Sequence, residues 1–84
     1  MARYGVQTEA TPEKVIEMTV IFFGEGGLGL DLVERGPDCV TLKGGGGHVT
    51  VTVTPGENET DVELQTREWD RQVQQFMEKL SKAG

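Results

Sequence analysis

The feature that most constrains this chain is a change of hydrophobic period near residue 66. From His48 to Thr54 apolar and polar residues alternate strictly. Val49, Val51 and Val53 share one face, and His48, Thr50, Thr52 and Thr54 share the other. After the polar turn Pro55-Gly56-Glu57-Asn58-Glu59 the alternation resumes from Thr60 to Thr66, with Val62 and Leu64 inward and Asp61, Glu63 and Gln65 outward. Beyond Thr66 the spacing becomes helical, because Trp69, Val73, Phe76, Met77 and Leu80 form one continuous stripe. A sheet that is apolar on one side and a helix with one apolar stripe must cover each other. One-sided strands of this kind belong to antiparallel sheets, so the expected class is α+β.

The rest of the chain supplies the remaining elements. Tyr4, Val6 and Thr8 fall on one face of a short first strand. Thr11-Pro12-Glu13 then announces a helix over 12–23, with Thr11 as cap, Pro12 in the first turn and Glu13 and Glu17 near the positive end. The β-branched run Thr19-Val20-Ile21 leaves a strand over 18–23 as the competing reading. Leu28, Leu30 and Leu32 alternate within a strand expected over Leu28–Arg35, the turn Gly36-Pro37-Asp38 follows, and Cys39–Lys43 reads as another short strand. Gly44–Gly47 connects it to the strand at His48. Thr66 is the expected cap of the last helix, with Glu68 and Asp70 in its first turn and Lys79 and Lys82 near its end. The expectation is one domain over residues 1–84. An antiparallel sheet of about five strands packs on a long C-terminal helix and a shorter N-terminal one.

Charge narrows the partners. The chain of 84 residues carries a net charge of −6. Residues 1–66 hold four basic side chains against eleven acidic ones, whereas residues 67–84 hold four against three. Phosphate backbones require clustered Lys and Arg, so nucleic acid is not an expected partner. No apolar run approaches the roughly 18 residues of a membrane span. Cys39 is the single cysteine, and Met1-Ala2-Arg3-Tyr4 lacks the apolar stretch of a signal peptide, so the expected setting is reducing and cytoplasmic.

Several motifs look chemical and read better as structure. Gly24-Glu25-Gly26-Gly27-Leu28-Gly29 matches G-x-G-x-x-G, but a strand pattern follows it where a dinucleotide site needs a helix, and Glu25 would repel phosphate. It reads as a helix-to-strand connection. His48 has no second histidine and no paired cysteines at metal-site spacing, so no metal site is expected. Cys39 reads as a small buried hydrophobe. A nucleophilic thiol would need a base, and His48 is the only imidazole. Thr50, Thr52 and Thr54 suit a solvated sheet face. Glu57, Glu59, Asp61 and Glu63 alternate outward, so an acid–base pair is not expected among them. No catalytic residue and no cofactor is assigned.

The order strand, helix, four antiparallel strands, long helix resembles a shortened helix-grip fold of the START-like, or Bet v 1-like, superfamily that includes polyketide cyclases and lipid carriers. The local cues are the first strand running into Ala10-Thr11-Pro12-Glu13-Lys14-Val15, and the strand, polar hairpin, strand, helix ending from Val49 to Leu80. Typical members are longer, with further strands and a second short helix that widen a cavity. The resemblance implies an apolar pocket between sheet and C-terminal helix, and no fixed catalytic set. Tyr4, Phe22, Phe23, Trp69, Phe76 and Met77 are the candidate pocket residues, and they are also nearly all the large side chains available for a core. The leading expectation is a small non-catalytic binding module for an apolar ligand or a protein partner. The alternative is a homodimer or subunit-type domain joined through the Leu28–Arg35 edge strand. A small cyclase- or hydrolase-like enzyme using His48 or Cys39 comes third.

Overall fold

The computed structural model describes residues 2–83. Its elements are β1 (Ala2–Thr8), α1 (Pro12–Phe23), β2 (Asp31–Arg35), β3 (Cys39–Gly44), β4 (Gly47–Pro55), β5 (Thr60–Arg67) and α2 (Asp70–Lys82). The strands form one sheet in the order β1-β5-β4-β3-β2, every pairing antiparallel. Four strands in sequence make a meander, and β1 returns to pair with the last of them. This is the α+β architecture expected from the change of period.

Both helices cover the same face of the sheet. Val40, Leu42, Val49, Val51, Val53, Val62 and Leu64 point into the core, where Val15, Ile16 and Phe23 of α1 and Val73, Phe76 and Leu80 of α2 meet them. Four threonines share this interior, Thr8, Thr19, Thr60 and Thr66. Each donates its hydroxyl to a backbone carbonyl, of Leu80, Val15, Ala10 and His48 respectively, at 2.6–2.9 Å. A buried hydroxyl without a partner would cost about 1–3 kcal/mol, and these carry none of that penalty.

The helix won over the strand at 18–23. Thr11 accepts the Lys14 amide at 3.2 Å as cap, and the Gly24 amide closes the helix on Val20 O at 2.9 Å. Thr19 satisfies its hydroxyl on Val15 O, and Ile21 points outward, so the β-branched run meets little crowding.

Three boundaries differ from the sequence reading. Thr66 does not cap α2. It lies inside β5 with its hydroxyl on His48 O, and Trp69 occupies the cap position without a side-chain cap bond. Glu68 is not in the first helical turn. It makes the corner before the helix at φ 76°, the left-handed region, which turns the chain from sheet to helix within two residues. The strand expected from Leu28 begins only at Asp31. A β-bulge between Leu32 and Glu34 breaks its alternation, so Leu28 and Leu32 are exposed and only Leu30 is buried.

Candidate functional site

The six candidate pocket residues all lie in or against one core on one side of the sheet, and the three phenylalanines among them contact one another. Ring centroids of Phe22, Phe23 and Phe76 lie 4.9–5.3 Å apart, Phe23 and Phe76 being fully buried. The outer side of Phe22 carries the Lys79 ammonium 5.9 Å from its centroid. Met77 is half-buried against the same core. Tyr4 and Trp69 are pinned by their polar ends. Tyr4 donates to Asp70 Oδ2 at 2.9 Å and accepts from Gln74, while the Trp69 indole donates to Gly44 O at 2.9 Å. Every buried side-chain nitrogen or oxygen among the described residues has a partner. No polar group there waits for a ligand.

The two glycine clusters are absorbed by local structure. In the G-x-G-x-x-G segment, the amides of Gly27 and Gly29 donate to Gly24 O, and those of Leu28 and Leu30 donate to the carbonyls of Phe22 and Phe23. The loop thus wraps the carbonyl end of α1, the negative pole of the helix dipole, where phosphate would be repelled. A Cβ on Gly27 would collide with the carbonyl oxygens of Ile21 and Phe22, which explains the residue type. In the second cluster, Gly45 and Gly46 both have positive φ and make the two-residue hairpin turn between β3 and β4. Trp69 lies against that turn, and a Cβ on Gly45 would approach its ring to 2.8 Å.

Cys39 and His48 are not partners. Cys39 pairs with Thr52 and His48 with Lys43, four residues apart on β4, which is about 13 Å of strand. Cys39 is half-buried on the solvated face rather than enclosed in the core as expected, because its register puts it beside Thr52. Burial pushes its thiol pKa above the ordinary value, and the charges of Glu34 and Asp38 add to the rise. That is the opposite of what a nucleophile requires. No group of three or more His, Cys, Asp or Glu side chains able to hold a metal occurs among the described residues.

The sheet face away from the helices carries the threonine row as expected. An open depression of about 640 Å³ lies there, lined by Gly5, Gln7, Thr52, Asp61 and Glu63. Its charges are already engaged, because Arg3 lies 3.4 Å from Glu63 and Gln7 donates to Asp61 at 2.8 Å.

The remaining feature is the β2 edge. All five of its residues are exposed, and its outer side pairs with no other strand among the described residues. The exposed large apolar side chains are Ile21 at 62%, Val33 at 55%, Leu32 at 48% and Leu28 at 41%. Leu32 and Val33 lie on β2, Leu28 lies in the loop leading to it, and Ile21 lies in the last turn of α1 that this loop wraps. The alternation of leucines concealed this exposure, because it placed Leu28 and Leu32 inward. The only sequence signal against that reading was Val33, an apolar residue out of phase with its neighbours.

No protein-family model matches the chain, and no curated protein is significantly similar to it. No helix among the described residues is long and apolar enough to cross a membrane.

Proposed function

We propose that the chain is a small non-catalytic binding module of START-like form that engages a protein partner along the β2 edge. The observation that carries this reading is the coincidence of an unpaired strand edge with the exposed apolar side chains Ile21, Leu28, Leu32 and Val33. Exposed apolar clusters on small domains mark interaction sites, and a free edge offers main-chain hydrogen bonds to an added strand. The order strand, helix, four antiparallel strands, helix supports the START-like likeness. Where that likeness would put a pocket, Phe22, Phe23 and Phe76 contact one another, so an internal apolar ligand has the weaker case.

The test is site-specific photo-crosslinking in the full chain, with a photoreactive phenylalanine analogue at Val33 and, as control, at Gln7 on the opposite edge. Adducts are expected at Val33 and not at Gln7, and they should disappear when Ile21→Lys and Leu32→Lys are added. A different pair of results would overturn the reading. Those are no adduct at Val33, together with an apolar small molecule that raises the melting temperature and shifts Trp69 fluorescence.

A further inference from the structure

We infer that a groove between α1 and the turn joining β2 to β3 binds a small zwitterion with an apolar body, an apolar amino acid or a short peptide with free ends. It uses none of the exposed apolar side chains of the β2 edge and does not depend on docking there. The starting point is the register at the end of β2. Arg35 stands opposite Val40, a core residue, so its side chain leaves the sheet on the helix-covered side. There a groove of about 720 Å³ opens between the first turns of α1 and the turn at Gly36-Pro37. Ile16, only 3% exposed, forms its base, and Pro12 and Pro37 line it as well. Glu13, Glu17 and Arg35 supply its charges. Small-molecule sites ordinarily span about 300–1,000 Å³, so the size suits a ligand of this kind.

The charges decide what fits. Glu17 lies 3.5 Å from the Lys14 ammonium and is already matched. Glu13 on α1 and Arg35 at the end of β2 lie within ion-pair distance of no opposite charge among the described residues, each other included. A simple anion would face the carboxylates of Glu13 and Glu17, and a simple cation would face the Arg35 guanidinium. A ligand carrying both charges meets each with its opposite. Being neutral overall, it also enters without opposition from the net charge of −6. The guanidinium offers a fork that takes a carboxylate through two parallel hydrogen bonds, and a glutamate accepts from an ammonium. Ile16 and the two proline rings then suit an apolar side chain. The walls are fixed before anything binds. Thr11 caps the Lys14 amide, the Gly36 amide donates to Cys39 O at 2.8 Å, and Asp38 O accepts from the Val53 amide at 2.8 Å, which ties the turn to β4.

The experiment is a two-dimensional amide NMR titration of the full chain with leucine and with leucyl-leucine, at constant pH and ionic strength. Saturable shifts are expected at Glu13, Ile16, Arg35 and Gly36, with a dissociation constant of about 1 mM or below for the better ligand. The two arms separate the sources. Leucine carries both charges on one carbon, whereas the dipeptide spreads them along its length, so the tighter ligand reports the span between Glu13 and Arg35. Acetylating the amine removes the positive charge, and amidating the carboxyl removes the negative one. Each change should weaken binding by about tenfold or more. Arg35→Gln should weaken the free ligand by about the same factor and cost the amidated one nothing further. Glu13→Gln should show the same pattern with the acetylated ligand. Both residues are exposed, and unchanged shifts elsewhere in the spectrum verify that the variants fold.

An absence of saturable shifts with both ligands overturns the inference. So do blocked ligands that bind as tightly as the free ones, or an Arg35→Gln loss that is the same for the free and amidated forms. The blocked ligands are titrated against the unchanged chain, so that comparison decides even where a variant fails to fold. Docking along β2 stands or falls separately, on the Val33 crosslinks. Val33→Lys should leave the titration unaltered, and a titration that responds to it would remove the ligand from this groove.

Discussion

The two edges of the sheet are the same kind of structure in different relations to the core. On β1, Tyr4 and Val6 are half-buried and Thr8 is buried, so alternate side chains enter the core. The Tyr4 hydroxyl reaches Asp70 at the start of α2, and the Thr8 hydroxyl reaches Leu80 O near its end, so the helix is tied to this strand at both ends. On β2 all five residues are exposed and the bulge breaks the pairing register. An edge that carries the core must keep its alternation, because a one-residue slip would turn its apolar set outward. An edge outside the core is free of that constraint, and there apolar residues can face water. The core contacts thereby gather toward one edge of the sheet, and the proposed docking surface lies at the other.

The largest test of this division removes a ring from the α2 side. Phe76→Ala deletes a fully buried ring in contact with Phe22 and Phe23, and should cost about 3–5 kcal/mol. A chain of this length has a total of about 4–13 kcal/mol, so chemical denaturation should find the variant near the limit of folding. A loss below about 1 kcal/mol would mean that the core is not organised around α2.

A smaller effect is expected on β1 itself. Thr8→Val keeps the shape of the side chain but strips the hydroxyl from Leu80 O, and also from the Ala10 amide that donates to it at 3.2 Å. With two buried groups losing a partner, about 1–2 kcal/mol should disappear from the urea unfolding free energy with an unchanged slope. A neutral result would break the comparison on its stable side, by showing that β1 does not anchor the end of α2.

Much of the stable side was legible in the sequence and the exposed side was not. Val49, Val51, Val53, Val62 and Leu64 alternate without interruption, and their partner stripe Val73-Phe76-Leu80 keeps helical spacing, so period alone located the core. At β2 period misled, because the bulge adds a residue and Leu28 precedes the strand entirely. The helix start failed for a different reason. Thr66 has the chemistry of a cap, but it lies inside β5 paired with Val49, and the helix does not begin until Asp70. The candidate site residues Tyr4, Phe22, Phe23, Trp69, Phe76 and Met77 all lie in or against the core. Whether rings on one face enclose a space or fill it depends on distances that spacing does not encode.

Val33→Lys probes the other edge. Because Val33 is 55% exposed and pairs with no residue of β3, the substitution should change the unfolding free energy by no more than about 0.5 kcal/mol. The same change should weaken docking along β2, because it puts a charge among the exposed apolar side chains of that edge. Stability loss of about 2 kcal/mol or more would show that β2 belongs to the core after all, and the contrast between the edges would fail.

The smallest effect reads the local field on the β2 side. Cys39 lies at the start of β3, with its thiol pKa raised by burial and then by Glu34 of β2 and Asp38 of the turn. A raised pKa means that less of the thiol is ionised at a given pH, and the thiolate is the species that alkylates. Iodoacetamide labelling of the folded chain at about pH 8 should therefore be slower than labelling of the urea-unfolded chain, and its pH profile should be displaced upward. Glu34→Gln removes one of the two charges and should shift that profile part of the way back, leaving the contribution of burial. A profile that ignores Glu34 would place Cys39 outside the field of the edge.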